Sequence, residues 1–332
     1  MEHFHIRDSR EVPDALRQLY ESYRASLPPF KQEFVGKAFP SLLLAGSGII
    51  CFQNNLPAAA LTWNVSPTVP GLVTAEFYFE QTWAAGNAVE LLIAEYLKAV
   101  PQSNSHCVEL WISPGAKIHQ VLLGEGFQQM ERQLLELTSK APEASCPQGV
   151  NFIRLDNFHI TPASLQELSE LLFKAYWNTV DGVFFEHYRT PAFCQQYVSK
   201  FVESPYCDVR NSWIACLGAD NRAVGMALGC VWPKARALYL EQLAVHPSFC
   251  GHGFGRELFR RFSSVIGAGG ARRIILTVSK DNSIPSTMYR SMGARFLDME
   301  IAYFKKATTV HFCKKTEAPF SRRRGCETDQ PV

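Results

Sequence analysis

Between residues 161 and 176 the apolar positions Leu165, Leu168, Leu171, Leu172 and Ala175 recur at helical spacing, so "TPASLQELSELLFKAY" reads as one amphipathic helix. Thr161 stands at its N-cap and Pro162 at the first helical position, where a missing N–H costs nothing. "VNFIRLDN", just upstream, alternates as a strand does. Downstream, "SWIACLG" and "AVGMALGCVWP" read as hairpin strands around "ADNR", and "ALYLEQLAVHP" as a longer strand. "GRELFRRFSSVIGAGG" reads as a helix closed by glycines. "RRIILTVS" is a short strand, "SIPSTMYRSMG" a helix and "ARFLDMEIAYFKK" a terminal strand. The predicted order is β-α-β-β-β-α-β-α-β.

The first half carries the late part of this plan. "GLVTAEFYFEQ" reads as a strand, "NAVELLIAEYLKAV" as a helix, "HCVELWIS" as a strand, "AKIHQVLLGEGF" as a helix and "RQLLELT" as a strand. Gly86 and Gly253 are 167 residues apart, and so are Gly126 and Gly293. Shared glycines and shared element types in one register indicate a tandem duplication. The Ser/Pro/Ala-rich stretch "SKAPEASCPQG" is a linker. The expected division is therefore a first domain over 1–138, a linker over 139–149, a second domain over 150–312 and a tail over 313–332.

Composition narrows the class. The chain has 332 residues, 47% apolar and 19% charged, the balance of a soluble globular protein. Its longest apolar runs are too short to span a membrane, and the opening "MEHFHIRDSREVPD" is polar rather than leader-like. The ten cysteines, at 51, 107, 146, 194, 207, 216, 230, 250, 313 and 326, form no C-x-x-C pair, so neither zinc-finger spacing nor another metal motif is present. Several lie in apolar runs, as reduced thiols do, which implies a reducing, cytoplasmic compartment. From Lys305 onward seven Lys/Arg face three Asp/Glu, so the net charge of +2 belongs to the tail. A near-neutral body argues against a dedicated nucleic-acid binder. "APFSRRRGCETDQPV" reads as a disordered end, with phosphate binding as the alternative.

Gly251, Gly253 and Gly255 stand between a strand and a helix start. Glycines there let amides converge, and the helix adds unpaired donors and a positive dipole end. The spacing lacks the Lys-Ser/Thr of a P-loop, and Arg256 occupies the last glycine of a dinucleotide fingerprint. A plain glycine-rich turn is the other alternative. Residues 241–294 resemble the GNAT N-acetyltransferase superfamily, whose acetyl-CoA motif is Q/R-x-x-G-x-G/A. The loop reads Cys250-Gly251-His252-Gly253-Phe254-Gly255 after "LAVHP", and "NSIPSTMYRSMGA" resembles the N-x-x-A-x-x-x-Y-x-x-x-G-F signature through Asn282, Tyr289 and Gly293. Cys250 departs from the usual Gln/Arg, Pro285 from Ala and Ala294 from Phe. The two-domain layout is similar to that of mycothiol synthase, in architecture only.

The resemblance implies two domains, each a mixed, mostly antiparallel twisted sheet flanked by helices, and acetyl-CoA as co-substrate with no metal. It implies that the strand Leu243, Ala244, Val245 pairs with the pantetheine arm, with the Leu243 amide facing the oxyanion. The loop Cys250, Gly251, His252, Gly253, Phe254, Gly255, Arg256 would hold the diphosphate, and Asn282 would hold the arm or cap the next helix. Glu241, two residues before Leu243 and expected on the same face, is placed as the base for the amine. A surface carboxylate is its alternative reading. Tyr289 is placed as the acid for the thiolate, with a packed aromatic as its alternative. At the 167-residue offset these three positions become Thr74, Gly115 and Leu122, so the first half is expected to be non-catalytic. Its loop keeps Gly86 and Ala88 but has Trp83 and Ala84 for Cys250 and Gly251.

The resemblance implies an acceptor that is an amine on a small molecule or peptide. Ten Phe/Tyr/Trp fall between Phe173 and Tyr206, against 12% in the whole chain, which suits either an aromatic pocket or core helix faces. Asp181, Glu186 and Glu203 are candidate amine holders there. Against the acetyltransferase stands a second class, a catalytically silent acyl-CoA-binding or scaffold protein. The sequence leaves the oligomeric state open.

Overall fold

The computed structural model describes residues 4–35, 47–66, 71–79, 88–101, 104–110, 117–143, 148–218, 221–266 and 271–307. The expected tail over 313–332, the linker residues 144–147 and the first-half loop with Trp83, Ala84 and Gly86 lie outside them.

The first half holds strands β1 (Phe4–Asp8), β2 (Gly48–Gln53), β3 (Leu56–Val65), β4 (Leu72–Phe79), β5 (Ser105–Leu110) and β6 (Gln128–Leu137). Its helices are α1 (Pro13–Ser26), α2 (Pro29–Val35), α3 (Ala88–Ala99) and α4 (Lys117–Gly124). The second half holds β7 (Val150–Arg154), β8 (Trp213–Leu217), β9 (Arg222–Trp232), β10 (Ala237–Val245), β11 (Arg273–Ser279) and β12 (Arg295–Lys305). Its helices are α5 (Pro162–Tyr176), α6 (Val180–Phe184), α7 (Pro191–Glu203), α8 (Phe254–Ser263) and α9 (Ser283–Ser291). Thr161 caps α5 as expected: its side chain accepts from the Ser164 amide while Ser164 reaches back, a reciprocal capping box. The elements match across the 167-residue offset from β4 to β6 and from β10 to β12.

All twelve described strands form one mixed, mostly antiparallel sheet, in the order β1-β2-β3-β4-β5-β12-β6-β11-β10-β9-β8-β7. Only β4–β5 and β10–β11 pair in parallel. The order shows an exchange. The last strand of each half has crossed into the sheet of the other: β12 pairs with β5, β6 pairs with β11, and the two pair with each other. The hydrogen-bonded sheet runs across the expected division at 139–149.

Strand alternation places helices on both faces. Helices α3 and α4 bury Val89, Leu92, Ile93, Tyr96, Ile118 and Leu122 against one face, and α8 and α9 bury Leu258, Phe259, Phe262 and Tyr289 against the same face farther along. On the opposite face lie α1 over the first half and α5 and α7 over the second. Between them, α6 presses Phe184 and Phe185 onto Leu72, Cys107, Met130, Ala302 and Phe304, which are residues of β4, β5, β6 and β12. Helix α8 sits low on β9 because glycine lets it: a Cβ at Gly229 would enter the Phe262 ring, and one at Gly225 would come within 2.9 Å of Leu258 Cδ1.

The exchange makes a prediction. Residues 150–307 expressed alone carry β12 without either of its neighbours and leave β11 with an open apolar edge. They should be insoluble, and co-expression with residues 1–143 should restore a soluble complex on size-exclusion chromatography. A soluble, monodisperse 150–307 fragment contradicts the exchanged arrangement.

Candidate functional site

Parallel pairing of β10 and β11 runs from Ala237–Arg273 to Leu240–Leu276 and stops. Beyond it the strands part, while β10 keeps its pairing with β9 and β11 with β6. The register of β10 on β9 slips between Leu240 and Gln242, which makes Glu241 the extra residue of a β-bulge. The equivalent β3–β4 register, from Ala59–Phe79 to Val65–Val73, is unbroken.

The bulge re-aims side chains. Leu240, Leu243 and Val245 pack with the α8–α9 cluster, and Ala244 with the α5–α7 cluster. Glu241 and Gln242 both turn to the α5–α7 side. Tyr197 Oη donates to Glu241 Oε1 at 2.8 Å and accepts from Gln242 Nε2 at 2.9 Å. Tyr176 Oη donates to Gln242 Oε1 at 2.8 Å, and Cys230 Sγ lies 3.8 Å from Glu241 Oε2. The expectation that Glu241 and Leu243 share a face is thus corrected: one inserted residue breaks the two-residue period on which it rested.

The gap opens into a cleft of about 1190 Å³. The catalytic and coenzyme-binding residues expected from sequence all line it: Glu241, Leu243, Ala244, Val245, the loop from Cys250 to Arg256, Asn282 and Tyr289. In the loop, Gly251 and Gly253 have φ of 82° and 87°, in the left-handed region that glycine accepts and a branched residue opposes. Gly255 is ordinary first-turn helix, where a Cβ would lie 3.4 Å from Met288 Sδ. Among the described residues, no amide of residues 251–256 has an acceptor in the chain. Six successive donors at a helix start are a fit for an anion. His252 Nδ1 donates back to the Cys250 carbonyl at 2.9 Å, and the Arg256 side chain is exposed at the rim.

Tyr289 is buried on α9, and its hydroxyl makes no hydrogen bond among the described residues. Burial, and then the charge of Asp181, push its phenol well above the ordinary range. Asn282 occupies the N-cap of α9 but its side chain does not cap. Nδ2 instead donates to Asp181 Oδ2 at 2.7 Å, and Ser279 Oγ donates to Asp181 Oδ1.

The sequence reading left much of the opposite wall unnamed. Tyr176, Phe185, Tyr188, Tyr239, Thr277 and Arg132 also line the cleft. Tyr176 and Tyr188 stack with centroids 4.4 Å apart. Burial raises the phenols of Tyr176, Tyr197 and Tyr239 far above their ordinary value. Arg132 comes from β6, in the first half of the chain. It pairs with fully buried Glu300 at 3.2 Å, and its guanidinium carbon sits 5.4 Å from the Phe185 ring centroid. The aromatic stretch 173–206 splits between the two readings: Phe193 and Phe201 pack in the core, while Tyr176, Phe185 and Tyr188 face the cleft. Of the three candidate amine holders only Asp181 lines the cleft. Glu186 instead pairs with Lys306 at 2.6 Å on the surface, and Glu203 is exposed. No group of three or more His, Cys, Asp or Glu placed to hold a metal occurs among the described residues, and no described helix is long and apolar enough to cross a membrane.

Residues 173–294 match the acetyltransferase (GNAT) family. No curated protein matches the chain. Solved structures share the fold over nearly the whole chain at low identity. A GCN5-related N-acetyltransferase from Sphaerobacter thermophilus is 14% identical with a TM-score of 0.63, covering 92% of this chain and 96% of that one. A tandem GNAT protein from the clavulanic acid biosynthesis pathway is 12% identical with a TM-score of 0.59, covering 93% and 99%. A putative acetyltransferase from Pyrococcus horikoshii is 12% identical with a TM-score of 0.52, covering 92% and 90%. The tandem layout is therefore matched as a fold, with no specific match to mycothiol synthase.

The Tyr197–Glu241–Gln242 linkage predicts an order of stabilities. Tyr197→Phe removes a donor from Glu241 and an acceptor from Gln242, whereas Tyr176→Phe removes one donor from Gln242. Each buried group left unsatisfied costs about 1–3 kcal/mol. Urea unfolding should rank Tyr197→Phe as the less stable variant; the reverse order would show that Tyr197 does not hold the bulge.

Proposed function

We propose that the chain is an acetyl-CoA-dependent N-acetyltransferase whose second half passes acetyl directly to an amine. The observation that carries the reading is the set of six unaccepted amides at 251–256, around two left-handed glycines, opening on the gap between β10 and β11. When bound, acetyl-CoA supplies an activated acyl carbon; the chain supplies everything else. The amides and the α8 dipole hold the diphosphate, with His252 and Arg256 at its rim. The backbone of Leu243, Ala244 and Val245, no longer paired to β11, is available to the arm, and the Leu243 amide to the oxygen that gains charge.

The gap joins the two faces of the sheet. Glu241 reaches it from the α5–α7 side and takes a proton from the amine through water. Tyr289 reaches it from the α8–α9 side and gives its proton to the departing sulfur. Its raised pKa keeps the phenol protonated at neutral pH. Amine and thiol thus occupy opposite sides of one sheet, and proton acceptor and donor are separated accordingly. Glu241 already accepts from Tyr197, but a carboxylate has about four acceptor positions, so a water is still accommodated.

That same Tyr197 bond favours the second reading, a silent acyl-CoA binder in which Glu241 is structural. The first half is proposed to be non-catalytic in either case, since β4 has no bulge and Thr74 stands where Glu241 does. The acceptor is an amine on a small molecule or peptide. Seven described cysteines are free thiols, which supports a reducing, cytoplasmic setting.

Two predictions follow the site: the first tests coenzyme A binding, which both readings require, and the second separates them. Gly253→Val should abolish coenzyme A binding measured by calorimetry, because it opposes a φ of 87° in the anion loop, while Cys250→Ser should bind as wild type. Undiminished binding by Gly253→Val removes the loop from the site. In thiol-release assays over a panel of amines and peptides, Glu241→Gln and Tyr289→Phe should each lower kcat by about 10²–10⁴ with coenzyme A affinity unchanged. Because burial raises the Tyr289 pKa, the wild-type profile should show no basic limb from this phenol near neutrality, and Tyr289→Phe should lower the plateau without moving it. Full turnover by both variants would leave the two residues structural.

A further inference from the structure

Asn is among the residues that best cap a helix with their side chain, and removing such a cap typically costs about 1 kcal/mol. Asn282 stands at the N-cap of α9 and forgoes this bond. Its amide is given to a different element, the five-residue helix α6, through Asp181. The second oxygen of the same carboxylate takes the hydroxyl of Ser279, the last residue of β11. Both are hydrogen bonds to an ionisable acceptor, the stronger kind. Asp181 therefore closes a bridge across the cleft between two walls with different tasks. Ser279 and Asn282 belong to the turn that leads into Tyr289 and α9. Asp181 belongs to the segment that carries Phe185 and Tyr188 over the opposite opening.

The bridge adds a polar attachment to a segment that also packs by apolar contact and pairs Glu186 with Lys306 at the surface. Phe184 and Phe185 pack into β4, β5, β6 and β12, while Val180 and Val183 are exposed. Ser279 stands directly opposite Arg132, and Arg132 directly opposite Glu300, so polar residues continue from the bridge across β11, β6 and β12 through the exchanged strands. The attachment point on α6 is thus tied to the middle of the sheet, where β11, β6 and β12 each have a strand on both sides.

We infer that Asp181 is a positioning residue that ties the acceptor-side helix α6 to the start of α9, so that occupancy of the coenzyme A site orders the acceptor wall. This rests on the reading of residues 250–256 as the coenzyme A site. Asp181 does not touch the reacting atoms in this account; it acts through Asn282 and Ser279.

Hydrogen exchange on the full chain with coenzyme A as the probe tests it. In the wild type, coenzyme A should slow exchange at residues 251–257 and also at 180–189, the latter about tenfold, the scale of one hydrogen bond to a charged group. In Asp181→Ala, which removes both acceptor oxygens, and in Asn282→Ala, protection should remain at 251–257 and be lost at 180–189. No protection at 251–257 in the wild type would overturn the coenzyme A reading itself. Protection there that never spreads to 180–189, or spreads equally in both variants, would overturn the role of Asp181 alone. Asn282→Ala leaves Asp181 in place and breaks the same bond from the other end, so it carries the test if the Asp181 variant proves unstable.

Discussion

The cleft exists because the parallel pairing of β10 and β11 ends at Leu240 and Leu276. Two parallel strands that part must each find other partners, or leave a row of amides and carbonyls bare. Here β9 and β6 keep the outer edges paired, so bare backbone is confined to the facing inner edges. The bulge at Glu241 accompanies the parting and turns two successive side chains, Glu241 and Gln242, to the α5–α7 side, where the half-buried Tyr176 and Tyr197 receive them. Helix α8 can aim its N-terminus at the same opening because Gly225 and Gly229 let it lie close on β9. Loop, bulge and tyrosines all answer to one interruption in a hydrogen-bond ladder.

The exchange of β6 and β12 gives the site a second dependence. Strand β6 supplies the other edge of β11 and brings Arg132 to the cleft. Arg132 stays there because Glu300, buried on β12, lies across from it, and because the Phe185 ring offers its face. A guanidinium in such surroundings is held by a carboxylate and an aromatic ring together. The first half thus contributes to the second-half cleft whatever its own chemistry.

Much of this was readable in the sequence. Periodicity located α5, α8, α9 and β7 to β12, and the glycine spacing located the loop, because these depend on local pattern and local backbone demand. The 167-residue offset carried the same elements into the first half. The predicted order has one helix between β7 and β8 where the structure has α5, α6 and α7, and it leaves β1–β3, α1 and α2 unread. Two further features escaped for physical reasons. A bulge is one extra residue within a strand whose composition, "ALYLEQLAV", is unremarkable for a strand, so the facing of Leu243 relative to Glu241 was misjudged. Strand exchange preserves every local pattern and changes only which distant strand is the neighbour, so neither Arg132 nor its buried partner Glu300 carried a signal. Asn282 gave a partial one: its spacing marked it, but its bond to Asp181 joins residues far apart in the chain.

The swapped strands also bear on how the chain is made. Synthesis delivers β6 long before β11 and β12, the two strands on which it pairs. Leu110 on β5 likewise waits for Ile301. A nascent chain released in order from the ribosome therefore carries an incomplete first sheet until its C-terminal strand emerges, and the closing contacts are among the longest in sequence. During that interval the apolar residues Leu135 and Leu137 stand exposed at an edge that the finished protein never shows. The last strand made is thus the one that closes the sheet between β5 and β6.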